Sequence, residues 1–547
     1  YPSRPAMTLA LLRLAVLATL LPATVLAQSP RVAAMEAAAR SISADQIRED
    51  VFFLASDANM GRSTLEPGYD SAAAYVARRL RALGITPAGD SGGYFQHYTV
   101  ISSRVDTARA GGMIGSTPIH YGEHFVVQSF LQAGMHAGDV VYVGHGARIP
   151  SDGIDPYAGL DVAGKWLLVD GLPDPQGRRP SDFGRAGITY STVLEEATQR
   201  GARGILTLPN DAFISGWSSF RNRVPAGRDL TPAKGRAYAA YPLPRIVLSR
   251  EAAAMLLADA PALAAIAAGT DTTGARPDPF ELGKRVAIDL VGETTTHRPY
   301  NVVGFVEGSD PELKDQWISV ASHLDGAIGR AVTPEGDSIY NAADDNASGS
   351  AVDLAVAEAL MRGPRPKRSV LLIWDSGEEI GLWGSRHLAY NASERIVAHF
   401  NNDMLGRTKA PGTDAPAESD LAGPGEVWVS GPAVISTMMH RVLEHARATY
   451  HFITLTPRHD DPSVSFFYPR TDAAPYMENG IPVIQFFTGL HADYHRQGDE
   501  AAKLDIAKMT GAAKMIYAIL WLMAEDAERP RWDKPVPERL PFVTPRR

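Results

Sequence analysis

Five short segments in the C-terminal half of the chain combine histidine and acidic residues in patterns typical of metal coordination. They lie at residues 322–326 (SHLDG), 343–349 (ADDNASG), 375–379 (DSGEE), 402–404 (NDM) and 491–495 (HADYH). Because the 547-residue chain contains no cysteine, a metal site must use imidazole nitrogens and carboxylate oxygens. Each segment alone has a simpler interpretation, such as capping of a helix by Asp344 and Asp345. Their joint occurrence favours a metal centre.

These segments must be positioned by the elements that come before them, and each lies where a strand ends and a loop begins. Strands are predicted at 300–306, 317–322 and 369–374, a helix after Asn346 and a final helix near 501–525. This alternation predicts an α/β fold with a mixed central sheet and helices on both faces. The carboxyl ends of sheet strands are where such folds build their sites.

The rest of the chain divides into a helical start and a β-rich insertion. Apolar residues spaced three and four apart predict helices over 44–83, which Gly84 ends. Short β-rich runs between Gly, Pro and Asp turns over about 138–256 predict an inserted domain. The predicted division is a signal peptide at 1–27, the first part of the main domain at 28–130, the insert at 131–275, the rest of the main domain at 276–527 and a Pro-rich tail at 528–547.

Composition and the N-terminus limit the location and the partners of the protein. An apolar run over 14–26 before Ala27 is typical of a signal peptide, with a retained membrane anchor as the alternative. Together with the lack of cysteine, it predicts a secreted or periplasmic bacterial protein. No apolar stretch beyond this leader is expected to span a membrane. With 53 basic and 62 acidic residues, the net charge of −9 argues against nucleic-acid binding, and the sequence carries no indication of the oligomeric state.

Three motifs resemble active sites but lack the necessary context. The segment 89–93 (GDSGG) matches a serine-protease nucleophile, yet no histidine precedes Ser91 as the trypsin-like order requires. The segment 159–165 fits a phosphate-binding loop, but Trp166 replaces the required Ser or Thr. His440 and His445 are five residues apart, so one helix face cannot present both to a metal. The first two are interpreted as turns.

The five segments, in their order, resemble the secreted di-zinc aminopeptidases, a family that includes bacterial leucyl aminopeptidases and, more distantly, glutamate carboxypeptidase and the transferrin receptor. The resemblance extends to the N-terminal segment from 54–57 (LASD) through Gly61 and Arg62 to Gly84. The insert resembles a protease-associated domain. The family implies a zinc exopeptidase fold for the main domain.

The resemblance implies two zinc ions per chain. His323 and Asp403 would hold one ion, Glu379 and His495 the other, and Asp344 would bridge both. It also implies a cis peptide bond between Asp344 and Asp345.

It further implies three catalytic roles. Glu378, adjacent to a ligand, would be the general base. Asp325 would orient His323 through the other ring nitrogen. Tyr494 would donate a hydrogen bond to the tetrahedral oxyanion.

The implied substrates are peptides with a free N-terminus. Five aromatic residues predict a pocket for an apolar first residue: Phe466, Phe467, Tyr468, Phe486 and Phe487. Core packing is an equal alternative for Phe486. One departure from the family pattern is Ala473, which stands after Thr471 and Asp472 where relatives commonly have histidine.

Other activities occur on the same scaffold. A carboxypeptidase or dipeptidase is the first alternative, with Arg407 and Arg470 as candidates for binding a substrate carboxylate. A glutaminyl cyclase would use one zinc, and a non-catalytic receptor would have lost ligands, whereas all five ligand positions are filled here.

Overall fold

The computed structural model describes residues 29–129, 133–171, 191–218, 228–229, 243–271, 275–327, 329, 331–410, 421–458 and 470–536. The predicted signal peptide at 1–27 lies outside the described residues.

A nine-stranded mixed sheet forms the centre of the main domain. The order of eight of its strands from one edge is Thr86–Pro87, Tyr300–Val306, Ser369–Asp375, Trp317–His323, Ile396–Asn402, Val483–Phe487, Glu426–Ser430 and Thr454–Thr456. The ninth strand, Phe95–His97, pairs with Tyr300–Val306. The third to sixth strands of this order are mutually parallel. Their carboxyl ends therefore meet at one edge of the sheet, as the sequence predicted.

Helices cover both faces of this sheet because successive residues of a strand point to opposite sides. Leu372 and Trp374 pack into the large core on one face, whereas Leu371 and Ile373 pack into the core on the other. The first face is covered by Pro30–Arg40, Ala44–Leu54, Pro67–Ala82, Gly349–Arg362, Thr437–Thr449 and Ile506–Glu525, and the second by Trp383–Asn391, Pro432–Ile435 and Ala473–Glu478. The predicted mixed α/β fold with helices on both faces is confirmed.

The helices begin and end at residues that the sequence marks. Ser43 caps Ala44–Leu54 by accepting the N–H of Gln46. Gly84 has a φ of +74° just after Pro67–Ala82, a conformation that suits glycine at a helix end. Short 3₁₀ turns lie at Asp57–Arg62, Asp90–Gly92, Pro150–Asp152 and Ala501–Lys503.

A second, eight-stranded sheet forms a separate β-rich unit. Its order is Thr117–His120, Gly111–Ile114, Phe280–Leu290, Gly134–Tyr142, Trp166–Val169, Gly204–Thr207, Arg245–Leu248 and Phe125–Ser129. Its helices are Val193–Gln199, Asp211–Ser215, Arg250–Leu256 and Pro261–Ala268. The strands run from Gly111 to Leu290, so the insert is wider than the predicted 131–275. The reason is strand pairing, since Phe280–Leu290 joins Gly134–Tyr142 on one side and Gly111–Ile114 on the other.

A small three-stranded sheet connects the two units. Val100–Val105 pairs with Gly292–His297 and with Arg228–Asp229. At its base, the Tyr98 hydroxyl lies 2.8 Å from the hydroxyl of Ser376. The connection to the β-rich unit thus contacts the loop that carries Glu378.

The helix Ile506–Glu525 is long and apolar enough to cross a membrane by length and composition. The expectation that no such stretch exists beyond the leader was therefore too strict. However, 83% of its apolar window is buried inside the protein, as in a core helix. The described part of the predicted tail has no helix or strand and anchors Trp532 in the second face's core.

Candidate metal centre

The candidate ligands lie on loops at the shared edge of the four parallel strands. Trp317–His323 ends in His323, Ile396–Asn402 is followed by Asp403, Ser369–Asp375 by Glu378 and Glu379, and Val483–Phe487 by the loop that carries His495. A fifth segment, the π-helical turn Ala343–Ser348, precedes the helix Gly349–Arg362. The sheet thus brings together residues that are far apart in sequence.

Two overlapping sets of donor atoms form at this edge. In one set, donor atoms of His323, Asp345 and Asp403 lie within 4.8 Å of one another, and in the other set those of Asp345, Glu379 and His495 do. Asp345 belongs to both, since its Oδ1 lies 3.1 Å from Nε2 of His323 and its Oδ2 lies 3.0 Å from Nε2 of His495. We call these five residues the cradle.

The prediction for the bridging position was therefore displaced by one residue. The structure brings His323, Glu379, Asp403 and His495 together as expected, but Asp345 rather than Asp344 lies between the imidazoles. Asp344 is buried behind the cradle, where its Oδ1 accepts the N–H of Gly406 at 2.6 Å. The cis peptide bond likewise joins Asp345 to Asn346 and not Asp344 to Asp345.

Asp499 explains which of the two aspartates faces the cradle. Its carboxylate accepts the backbone N–H of Asp344 at 3.1 and 3.0 Å and that of Asp345 at 3.1 Å. These bonds fix the backbone of the turn, so that one carboxylate points forward and the other points back toward His491. The Nε2 of His491 lies 3.4 Å from Oδ2 of Asp344.

Glu378 lies beside the cradle and has a donor atom within 4.8 Å of those of His323 and Glu379. Burial, only partly offset by His323, raises the pKa of Glu378 well above its ordinary value, and the charge of Glu379 adds to the rise. A carboxyl group with a raised pKa is suited to accept and return a proton near neutral pH.

Asp325 contacts His323 differently from the prediction. The Nδ1 of His323 lies 3.0 Å from the backbone carbonyl of Asp325, whereas the nearest carboxylate oxygen is 3.9 Å away. Because a carbonyl only accepts, Nδ1 must donate, so in the neutral imidazole the lone pair lies on Nε2, which faces the cradle. The Asp325 carboxylate instead accepts the backbone N–H groups of Glu378 and Glu379, at 3.2 and 3.4 Å.

Tyr494 stacks on the imidazole of His495, with ring centroids 3.8 Å apart. Burial and the negative charges of Asp345 and Glu379 raise the pKa of Tyr494, so its hydroxyl stays protonated. It is therefore available as a hydrogen-bond donor. The His495 side chain is 37% exposed, and the cradle is accessible to solvent on this side.

The electrostatics of the cradle fit metal binding. Burial and repulsion from Asp345 raise the pKa of Glu379 to about 7. Burial opposes a charge on His495, but its contacts with Asp345 and Glu379 outweigh burial and raise its pKa to about 10. Within the described part of the chain, Oε1 of Glu379 is buried and has no hydrogen-bond donor, while Oδ1 of Asp403 lies 3.4 Å from Nε2 of His323. Divalent cations would supply the missing partners and offset the repulsion, and the nitrogen and oxygen donors suit zinc.

The predicted aromatic pocket is only partly within the described residues. Phe466, Phe467 and Tyr468 lie outside them. Phe486 packs in the main core. Phe487 lies near the candidate site, in a cluster that also includes Met404, Ala422, Trp428, Leu490 and Tyr494.

The candidate carboxylate-binding residue Arg407 is engaged within the protein. Its Nη2 donates to Oδ2 of Asp493 at 2.9 Å, and Nη1 lies 3.8 Å from Oδ1 of Asp499. Arg407 thus supports the loop that holds Asp345.

The sequence and the resemblance did not indicate a role at the metal centre for Asp345, Asp499 or His491. The pair of aspartates was visible, but no sequence signal distinguishes the one that faces the cradle. Asp499 follows His495 without any motif of its own, and only its contacts reveal its role.

Comparison with known proteins agrees with this geometry. Residues 301–520 match peptidase family M28. A probable zinc metalloprotease of Pyrenophora teres f. teres is 28% identical over 249 residues, which are 42% of this chain and 49% of that protein. Leupeptin-inactivating enzyme 1 of Streptomyces exfoliatus is 28% identical over 230 residues, 40% of this chain and 43% of that enzyme. This chain thus spans about half the length of the curated relatives it matches.

A solved aminopeptidase from Aneurinibacillus sp. strain AM-1 shares the fold. It is 17% identical, with a TM-score of 0.51, and the alignment covers 92% of this chain and 98% of that one. The expected fold class is confirmed, and residues 301–520 match the peptidase family that the resemblance implies.

Proposed function

The chain carries a domain of peptidase family M28, and on that premise we propose that it is an aminopeptidase that uses two zinc ions. The observation that carries the proposal is the pair of overlapping donor sets that share Asp345. His323 and Asp403 would hold one ion, Glu379 and His495 the other, and Asp345 both. Zinc, when bound, polarises a scissile carbonyl and lowers the pKa of an attacking water.

The protein's own groups then handle the proton and the developing charge. Glu378 accepts a proton from the attacking water and delivers it to the nitrogen of the departing amine. Tyr494 donates a hydrogen bond to the oxygen on which negative charge develops. Asp325 holds the backbone of Glu378 and Glu379 and fixes the tautomer of His323.

An apolar first residue fits the surroundings of His495. Leu490 and Tyr494 are partly buried and pack on the buried side chains of Met404 and Phe487. This surface adjoins the exposed side of the cradle, so it could hold a Leu, Met or Phe side chain. Arg407, in contrast, is paired with Asp493, which favours an aminopeptidase over a carboxypeptidase.

The names of relatives support a metallopeptidase, but they do not specify which peptide bond of the substrate is hydrolysed. One is a probable zinc metalloprotease and another inactivates leupeptin. The partners proposed for this chain are peptides. Export with cleavage after Ala27 is part of the proposal and is tested by N-terminal sequencing of the secreted protein.

The test combines metal analysis with a substrate panel. The purified protein is expected to contain two zinc ions per chain and to hydrolyse leucyl, methionyl or phenylalanyl peptides faster than alanyl peptides. Chelation should abolish turnover, and zinc should restore it. Cleavage of N-acetylated but not of C-terminally blocked peptides would indicate a carboxypeptidase. A single zinc with cyclisation of N-terminal glutamine would indicate a glutaminyl cyclase.

A further inference from the structure

We propose that Arg62 is a positioning residue that joins the loops carrying the metal ligands, so that the segment Asp57–Arg62 and its neighbours complete the cradle from outside residues 301–520. The inference rests on the proposed metal site and concerns a part of the chain that the family match does not include.

The Arg62 side chain is buried and donates only to main-chain carbonyls among the described residues. Its Nε donates to Leu324 at 2.8 Å and its Nη2 to Ala342 at 2.8 Å. Its Nη1 donates to Asn341 and to Leu54, each at 2.9 Å. One planar guanidinium therefore connects three separate stretches of backbone.

Each acceptor outside the N-terminal helices lies next to a cradle loop. Leu324 stands between His323 and Asp325, and Ala342 begins the turn that carries Asp345. Leu54 ends the helix Ala44–Leu54, which packs in the main core. The bond to Leu54 therefore anchors Arg62 to a buried helix. Movement of Arg62 would therefore change the distance between His323 and Asp345.

A neighbouring residue extends the same support to the general base. The Thr64 hydroxyl oxygen accepts the backbone N–H of Gly377 at 2.8 Å, directly before Glu378. The backbones are also close, since a Cβ on Gly61 would lie 2.3 Å from the carbonyl oxygen of Tyr340, and a Cβ on Gly326 would lie 2.6 Å from that of Gly61. The N-terminal segment thus contacts the loops of His323, Asp345 and Glu378.

Charge explains why a cation is tolerated in this buried position. Burial lowers the pKa of Arg62 to about 10, while Asp325, Asp499 and Asp345 favour its charged form. The side chain remains protonated at neutral pH. Lysine would keep the charge but has no planar fork to reach all four carbonyls.

The test measures metal binding, because activity alone would not separate positioning from chemistry. Arg62→Lys and Arg62→Ala are expected to weaken zinc binding by at least about 10-fold, as for groups that orient metal ligands. The measurement is chelator competition with zinc, together with the visible absorption of the cobalt-loaded protein. Methylguanidinium added to Arg62→Ala should restore part of the affinity and the wild-type cobalt spectrum.

Arg368→Lys is the matched control. Arg368 is also buried and donates to the carbonyls of Met523 and Glu528, but it lies at the opposite end of the strand Ser369–Asp375. This variant should lose stability without losing zinc affinity. Wild-type affinity and spectrum in both Arg62 variants would overturn the inference, as would equal losses of affinity in the Arg62 and Arg368 variants. A wild-type protein that binds no zinc would contradict the proposed function itself.

Discussion

The two large sheets both place a buried aspartate at the carboxyl end of a parallel strand, but they differ in how that charge is compensated. In the β-rich unit, Asp170 follows Trp166–Val169 and accepts a hydrogen bond from the Tyr142 hydroxyl at 2.9 Å. Nε of Arg276 lies 2.9 Å from the same carboxylate. The protein thus supplies the partners of this charge itself.

At the corresponding edge of the central sheet, the charges of the buried carboxylates are not compensated by partners from the protein in this way. Asp375 ends the strand Ser369–Asp375, and both of its carboxylate oxygens are buried without a hydrogen-bond donor among the residues that the structure describes. Among the same residues, Oε1 of Glu379 is also buried without a hydrogen-bond donor. Leaving buried polar atoms unpaired costs about 1–3 kcal/mol each. Because Glu379 belongs to a donor set, a divalent cation would provide its missing partner, whereas the satisfied Asp170 indicates a structural role. Asp375 lies in no donor set among the described residues, and burial and the charge of Asp472 raise its pKa, which favours its protonated form.

The first test of this contrast removes the proton-transfer group. Glu378→Gln should lower kcat by about 10²- to 10⁴-fold, because the amide cannot accept the proton of the attacking water. Steady-state kinetics and metal analysis on the same sample check the result. Two zinc ions should remain bound, and near-normal turnover would remove Glu378 from the mechanism.

The second test compares the two adjacent aspartates. Asp345→Asn should weaken zinc binding by about 10- to 100-fold or more, because it removes a donor from both sets. Asp344→Asn is the matched control, since an asparagine carbonyl can still accept the N–H of Gly406, and its effect should be smaller. Chelator competition measures both. A larger effect at Asp344 would restore the original prediction for the bridging residue.

The third test uses pH on the metal-free protein. Burial raises the pKa of Glu379 and of Asp472 to about 7, from ordinary values of 4.5 and 3.8. In the interval between those values the folded protein binds more protons than the unfolded chain, so the free energy of unfolding falls as the pH rises. The Tm of metal-free protein should therefore be several degrees lower at pH about 8 than at pH about 5. Zinc should raise the Tm more at the higher pH, and an equal effect at both would contradict the prediction.

The fourth test should have the smallest effect on the site. Asp170→Asn leaves Arg276 without its charged partner and should cost about 1–3 kcal/mol of stability in the β-rich unit. Zinc affinity and kcat should remain at wild-type values. Urea unfolding and metal titration measure the two properties, and loss of zinc would show that the two units are coupled through Asp170.

Much of the central unit could be predicted because its signals are local. The strand segments are short apolar runs and the five polar segments follow strand ends, so these segments were expected to form one site. The resemblance to the di-zinc aminopeptidases then implied His323, Glu379, Asp403 and His495 as ligands within them. In contrast, nothing in the local sequence determines which of Asp344 and Asp345 faces the cradle. That choice depends on Asp499, which lies 155 positions after Asp344 and holds its backbone.

The limits of the β-rich unit were missed for a related reason. Its strands Gly111–Ile114 and Phe280–Leu290 contain several positions that are not buried, and they lie beyond the change in composition used to place the boundary at 131–275. Phe280–Leu290 belongs to the second sheet because it pairs with Gly134–Tyr142, and Gly111–Ile114 belongs to it because it pairs with Phe280–Leu290. Arg62 was noted as part of a resembling segment, but its contacts with Leu324 and Asn341 join residues that are 262 and 279 positions apart in the sequence.

The dispersal of the donors along the chain has a consequence for maturation. Among the described residues, the donor set of His323, Asp345 and Asp403 is divided between the end of one strand, the turn Ala343–Ser348 and the loop after the strand Ile396–Asn402. An unfolded chain therefore has little capacity to capture the ions. We expect metallation to be the last event in the biogenesis of this protein, dependent on the zinc available where folding finishes.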